Sequence, residues 1–115
     1  MSNHIIHKTA KISKTAKIIG KGKISIGAYV TIEDNVTLNT GNNLNSLIKI
    51  SNRSKIKQGT LLEAYNGFIH IGNRSTISSY CCIAGHGRVT IGSCVIIANH
   101  TTIHASTHIY LEVNI

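Results

Sequence analysis

The stretch Lys23-Ile-Ser-Ile-Gly-Ala-Tyr-Val-Thr-Ile-Glu-Asp-Asn-Val-Thr-Leu38 carries a large aliphatic residue at every sixth position: Ile26, Ile32 and Leu38. Extended downstream, the same register reads Leu44, Ile50, Ile56, Leu62 and Phe68. It resumes after a short step at Ile71, Ile77 and Ile83, and after a longer one at Ile91, Ile97, Ile103, Ile109 and Ile115. A period of six belongs neither to an amphipathic helix, which repeats near 3.6, nor to a half-buried strand, which repeats near 2. It is the mark of a parallel β-helix, a solenoid whose stacked coils share one core.

A second column supports this. Four residues after the anchors come Val30, Val36, Ile48, Ser54, Thr60, Ser75, Cys81, Val95, Thr101, Thr107 and Val113, mostly small or β-branched, with Asn42, Asn66 and Gly87 as exceptions. Upstream the column continues through Ile24, Ile18, Ile12 and Ile6, so coils begin near the start of the chain. Gly27, Gly72 and Gly92 follow their anchors directly and are read as permitting a sharp corner. Three hexads to a turn predict an all-β, triangular solenoid of about six coils, each of about 18 residues and rising about 4.8 Å. The whole of 1–115 reads as one domain, with excursions expected near 39–45, which is rich in Asn and Gly, and near 84–88, where His86 lies between glycines.

Composition bounds the function. There is no proline, which fits strands that all donate to the next coil. The start lacks the apolar segment of a signal peptide and no apolar run reaches membrane-spanning length, so a cytoplasmic protein with no membrane span is expected. Cys81, Cys82 and Cys94 form no disulfide framework, and Cys81 falls in the inward column as a small core residue. The net charge is +8, with Lys8, Lys11, Lys14, Lys17, Lys21 and Lys23 crowded at the start. They read as a solvated outer face or as a field for an anionic partner. With one Phe, four Tyr and no nucleic-acid motif, no nucleic-acid partner is expected.

Seven histidines include His86, His100, His104 and His108. The last three are spaced by four, which would make a metal face on a helix, but the hexad register aims these residues in different directions, so no metal is expected. His108 lies between Thr107 and Ile109, both read as inward, so its ring projects outward from a flat strand. An outward imidazole on a rigid strand suits a general base, because its ordinary pKa leaves it mostly neutral at pH 7.

The segment from Ile77 to His108 resembles the hexapeptide-repeat O-acetyltransferases, in particular bacterial sugar and polysaccharide acetyltransferases of the maltose and galactoside group. The elements that carry the likeness are Val89-Thr-Ile-Gly92, Ile97-Ala-Asn-His100 and Ala105-Ser-Thr-His108. The resemblance implies a left-handed parallel β-helix, a homotrimer, and acetyl-CoA bound between subunits as co-substrate. It implies His108 as the general base that deprotonates a sugar or glycan hydroxyl. Ser78 and His86 match positions where galactoside-type enzymes hold the acceptor with Asn and Asp, which argues against a plain galactoside or maltose acceptor. The Gly-His-Gly segment is more similar to acyltransferases of surface-polysaccharide synthesis. Asn99 and His100 are expected to line the same groove. Relatives continue for several coils past the histidine, often with a Trp-Ile-Gly strand; here the period runs into Ile115 and there is no Trp, as in a C-terminally truncated member. The competing readings are a non-catalytic trimeric β-helix module, or remnant, and a carbonic anhydrase-like enzyme with zinc held across subunits.

Overall fold

The computed structural model describes the backbone of residues 3–106 and 108–111, with side chains for 4–106. The described chain contains no helix. Its strands run β1 (Asn3–Ile6), β2 (Lys11–Ile12), β3 (Lys17–Ile19), β4 (Lys23–Ile26), β5 (Thr31–Ile32), β6 (Thr37–Asn39), β7 (Leu47–Ile50) and β8 (Lys55–Ile56). They continue as β9 (Leu61–Glu63), β10 (Phe68–Ile71), β11 (Thr76–Ile77), β12 (Cys82–Gly85), β13 (Arg88–Ile91), β14 (Ile96–Ile97), β15 (Thr102–Ala105) and β16 (His108–Leu111). Every third strand stacks on the last. Sheet A is β1-β4-β7-β10-β13-β16, sheet B is β2-β5-β8-β11-β14, and sheet C is β3-β6-β9-β12-β15. All pairings are parallel. Three flat sheets around one core make a triangular parallel β-helix of about five turns, one fewer than the period predicts.

The coils are longer than 18 residues. Asn3 pairs with Lys23, Lys23 with Leu47, Leu47 with Phe68, Phe68 with Arg88 and Arg88 with His108, steps of 20, 24, 21, 20 and 20. Sheet A explains the excess, because its strands β4, β7, β10 and β13 each point two residues inward. Ile24 and Ile26, Ile48 and Ile50, Ile69 and Ile71, and Val89 and Ile91 are all buried there. Sheets B and C each contribute one large residue per strand, such as Ile32 and Leu38 or Ile77 and Ile83. Ile6, Ile12 and Ile18 therefore pair with the anchors Ile26, Ile32 and Leu38, not with the second column. The eight-residue step from Ile83 to Ile91 matches that from Ile18 to Ile26, so His86 sits on an ordinary corner. Between Leu38 and Ile50 the chain does lengthen, and Leu44, in register by count, is 69% exposed. Phe68 is only half-buried, with the Arg88 guanidinium 4.6 Å above its ring.

Two edges turn identically in successive coils. The third residue after an anchor takes the left-handed conformation: Tyr29, Arg53, Arg74 and Cys94 on the A–B edge, and Asn35, Gly59, Tyr80 and His100 on the B–C edge, with φ from 56° to 74°. Only one of these eight is glycine, so side-chain residues bear a strain of roughly 1 kcal/mol each. Gly27, Gly72 and Gly92 do not carry the positive φ. At Gly27 and Gly72 the requirement is close approach, since a Cβ on Gly72 would lie 2.6 Å from the Gly92 carbonyl carbon in the next coil.

Hydrogen bonds between coils hold the corners. Outside, Asn52 Oδ1 accepts from Ala28 N, Asn73 Oδ1 from Asn52 N, and Ser93 Oγ from Asn73 N. Inside, Ser54 Oγ donates to Gly72 O and accepts from Ser75 N, and Ser75 Oγ repeats this with Gly92 O and Val95 N. Where the second column carries a hydroxyl, at Ser54, Thr60 and Ser75, that group satisfies the next coil's buried corner amide. Cys81, 2% exposed, follows suit, its Sγ donating to Ala98 O at 3.1 Å.

Candidate functional site

The expected site residues divide between two edges of the prism. Ser78 lies on the B–C edge, half-buried just after β11; its N donates to Ile97 O and its O accepts from Thr60 Oγ1. Asn99 and His100 lie one coil above on the same edge. Asn99 Oδ1 accepts from Ser79 N at 3.0 Å, so that oxygen serves the ladder. The His100 ring stacks on Tyr80, 5.6 Å between centroids and 12° from parallel. Gln58 Nε2 in turn donates to the Tyr80 hydroxyl at 2.8 Å. The left-handed backbone at Tyr80 and His100 brings these rings into register.

His86 lies across sheet C, on the C–A edge, so the structure does not bring it together with Ser78, Asn99 and His100. It follows β12, with its N and that of Gly87 both donating to Ala105 O, at 2.8 and 3.1 Å. Glycines let the backbones close here: a Cβ on Gly67 would stand 2.1 Å from Gly87 O. The His86 ring meets two others edge to face, His104 at 5.3 Å and Tyr65 at 5.6 Å. Tyr65 is held at its hydroxyl, which donates to Glu63 Oε2 at 2.6 Å and accepts from Asn39 Nδ2 at 3.1 Å. The hydrogen bond to Glu63, then burial, then the Glu63 charge raise the phenol's pKa above 10, so it remains a donor across the physiological range.

Strand register assembles this cluster. Asn39 pairs with Glu63, Glu63 with Ala84 and Ala84 with His104. The four thus form one column across sheet C, with small Ala84 between the carboxylate and the imidazole. Sequence reading missed Glu63, Tyr65 and Asn39, and dismissed His104. The signal existed only in that column, which needs the true coil lengths to be seen.

β15 ends at Ala105 and β16 begins at His108, whose backbone pairs with Arg88, two residues after His86. Ile109 pairs with the buried Val89, and Leu111 with the buried Ile91. The His108 side chain lies outside the described residues, as do Thr107 and Ile115. Among the described residues no three His, Cys, Asp or Glu converge as a metal site, and no helix is long and apolar enough to cross a membrane. The C–A edge thus gathers proton acceptors and donors, namely two imidazoles and a phenol bonded to a carboxylate, beside the start of β16. Such a set can move a proton to or from a hydroxyl bound against it. No protein-family model matches this chain, and no curated protein matches it.

Proposed function

We propose that the chain is an acetyl-CoA-dependent O-acetyltransferase acting on a sugar or surface-polysaccharide hydroxyl, as a homotrimer, with His108 as general base. One observation carries the reading. In a three-sheet parallel β-helix, the segment ending in His108 enters sheet A beside the edge that bears His86 and His104. That arrangement agrees with the resemblance of Val89 to Gly92, Ile97 to His100 and Ala105 to His108 to the hexapeptide-repeat acetyltransferases.

The chemistry asks little of the protein. The His108 imidazole takes the proton of the acceptor hydroxyl while its oxygen attacks the thioester carbonyl. A C–O bond forms, the C–S bond breaks, and the proton passes to the departing CoA thiolate. Holding both substrates in line supplies the proximity that makes the transfer effectively unimolecular. No acetylated enzyme intermediate is required. Of the acceptor residues suggested by resemblance, His86 fits best, because it shares its edge with the start of β16.

The experiment is a CoA-release assay over a panel of sugars, comparing the wild type with His108→Ala. A general base contributes roughly 10²–10⁴ in rate, so the variant should lose at least about 100-fold. Equal rates would refute the base role. No turnover and no acetyl-CoA binding by the wild type would favour the non-catalytic β-helix module.

A further inference from the structure

The longest corner of the solenoid, between Leu38 and Ile50, stands on the C–A edge, and the surface around it is hollowed. Two open clefts of about 460 Å³ each meet at Tyr65 and Asn42. A third, of about 240 Å³, adjoins the first through Asn43, Asn45 and Asn66 and runs on to Phe68 and Arg88. The larger two fall within the roughly 300–1,000 Å³ range of small-molecule sites. Together they form one groove that passes several coils and ends beside His86, whose ring abuts Tyr65.

The side chains divide into fixed and free. Asn39 and Asn43 are engaged in building the corner: Asn39 Oδ1 accepts from Gly41 N, Asn43 Oδ1 accepts from Asn45 N, and Asn43 Nδ2 donates to Asn66 Oδ1. The side-chain amides of Asn42 and Asn45 are exposed and have no partner among the described residues. Each offers two donors and an acceptor to the groove. Tyr65 is its rigid wall, fixed by Glu63 and Asn39 at the hydroxyl and by the Gly41 backbone at the ring. A Cβ at Gly41 would come within 2.6 Å of that ring. Leu44 adds an exposed apolar surface.

The geometry points to this groove as a binding site for an uncharged oligosaccharide. Sugar rings present hydroxyl pairs, which free amides can match, and C–H faces, which a fixed Tyr and a Leu can cover. The two larger clefts are lined by neutral residues alone, and the one charged side chain that lines the groove, Arg88, stands at its far end over Phe68. A peptide that binds by adding a strand would need an open sheet edge, and this corner offers a loop instead. An open groove suits a chain of sugars more than an enclosed monosaccharide. The inference deepens the transferase reading by naming the acceptor's class, but it is tested by binding alone.

The test is calorimetric titration of the full chain, without acetyl-CoA, with maltotetraose, chitotetraose and tetragalacturonate. Binding of at least one of the first two is expected, weakened at least tenfold by the double substitution Asn42→Ala/Asn45→Ala and by Tyr65→Ala. Because the two asparagine amides are exposed and have no hydrogen-bond partner among the described residues, the double variant should melt as the wild type does, and it decides alone if Tyr65→Ala fails to fold. Binding of neither neutral tetrasaccharide, binding of tetragalacturonate only, or unchanged affinity in the double variant would overturn the inference. His108→Ala should bind the neutral probe normally, so loss of transfer with retained binding separates failure of the groove from failure of the transferase reading.

Discussion

Two buried serines should answer alanine in opposite ways. Ser54 is fully buried, and its hydroxyl bonds two backbone groups, donating to Gly72 O at 2.6 Å and accepting from Ser75 N at 3.1 Å. Ser54→Ala orphans both, at roughly 1–3 kcal/mol for each unsatisfied group. Part of that is recovered if water enters the corner, so a net loss of about 2–4 kcal/mol is expected. At about 4 °C per kcal/mol for a chain of this size, the melting point should fall by roughly 8–16 °C. Ser46 is 1% exposed and its hydroxyl has no partner among the described residues. Ser46→Ala removes a desolvated group that makes no bond, so it should be neutral or stabilising by up to about 1 kcal/mol. Urea titration followed by circular dichroism suits a chain without tryptophan, and unchanged m-values would show that both variants unfold as the parent does. Equal losses in the two variants, or a larger loss at Ser46, would refute the claim that inward hydroxyls hold the corners.

Three further outcomes follow from exposure and electrostatics. Burial and then the neighbouring Lys49 charge lower the His70 pKa below 6.5, so the unfolded chain binds the proton more readily. The corresponding stability is complete above the unfolded value near 6.5 and is lost as pH falls through the lower folded value, and His70→Gln should flatten the decline between pH 7 and pH 5 in melting experiments. Burial, then Glu63 and Cys81, raise the Cys82 pKa, Cys81 is buried and Cys94 is exposed. Iodoacetamide mapping by mass spectrometry at pH 8 should therefore find Cys94 modified first and Cys81 last; early loss of the Cys81 thiol would contradict its core position. Leu44→Ala should change stability by less than about 0.5 kcal/mol, whereas Leu38→Ala, fully buried, should cost about 2–5 kcal/mol. Comparable chemical-denaturation midpoints for the two would refute the assignment of Leu44 to the surface.

The architecture was legible because burial repeats. Ile26, Ile32 and Leu38 each return to one core, and nothing but a solenoid does that every six residues. The coil length was hidden by coincidence. The step from Leu38 to Ile50 is twelve residues, two hexads, so Leu44 kept the count in phase although the chain had left the core there. The eight-residue step from Ile18 to Ile26 does break phase, which put Ile6, Ile12 and Ile18 in the wrong column. The site suffered from the same error. Glu63, Ala84 and His104 fall into one column only at steps of 21 and 20 residues, and Tyr65 meets His86 across 21; an 18-residue turn puts both sets out of step. The separation of Ser78 and Asn99 from His86 follows likewise, since a linear motif does not say which edge each member occupies.

All the variation in coil length falls on the C–A edge, while the other two keep six-residue steps throughout. A residue inserted near Asn52 would shift an anchor and its ladder out of alignment with both neighbouring coils. An insertion between Leu38 and Ile50 meets no such constraint, and lengthening a loop costs only a slowly growing closure entropy. The prism therefore has one side on which new sequence can be tried without disturbing the rest. Specificity in such a scaffold can diverge quickly while the core remains fixed, and grafted segments belong on that side alone.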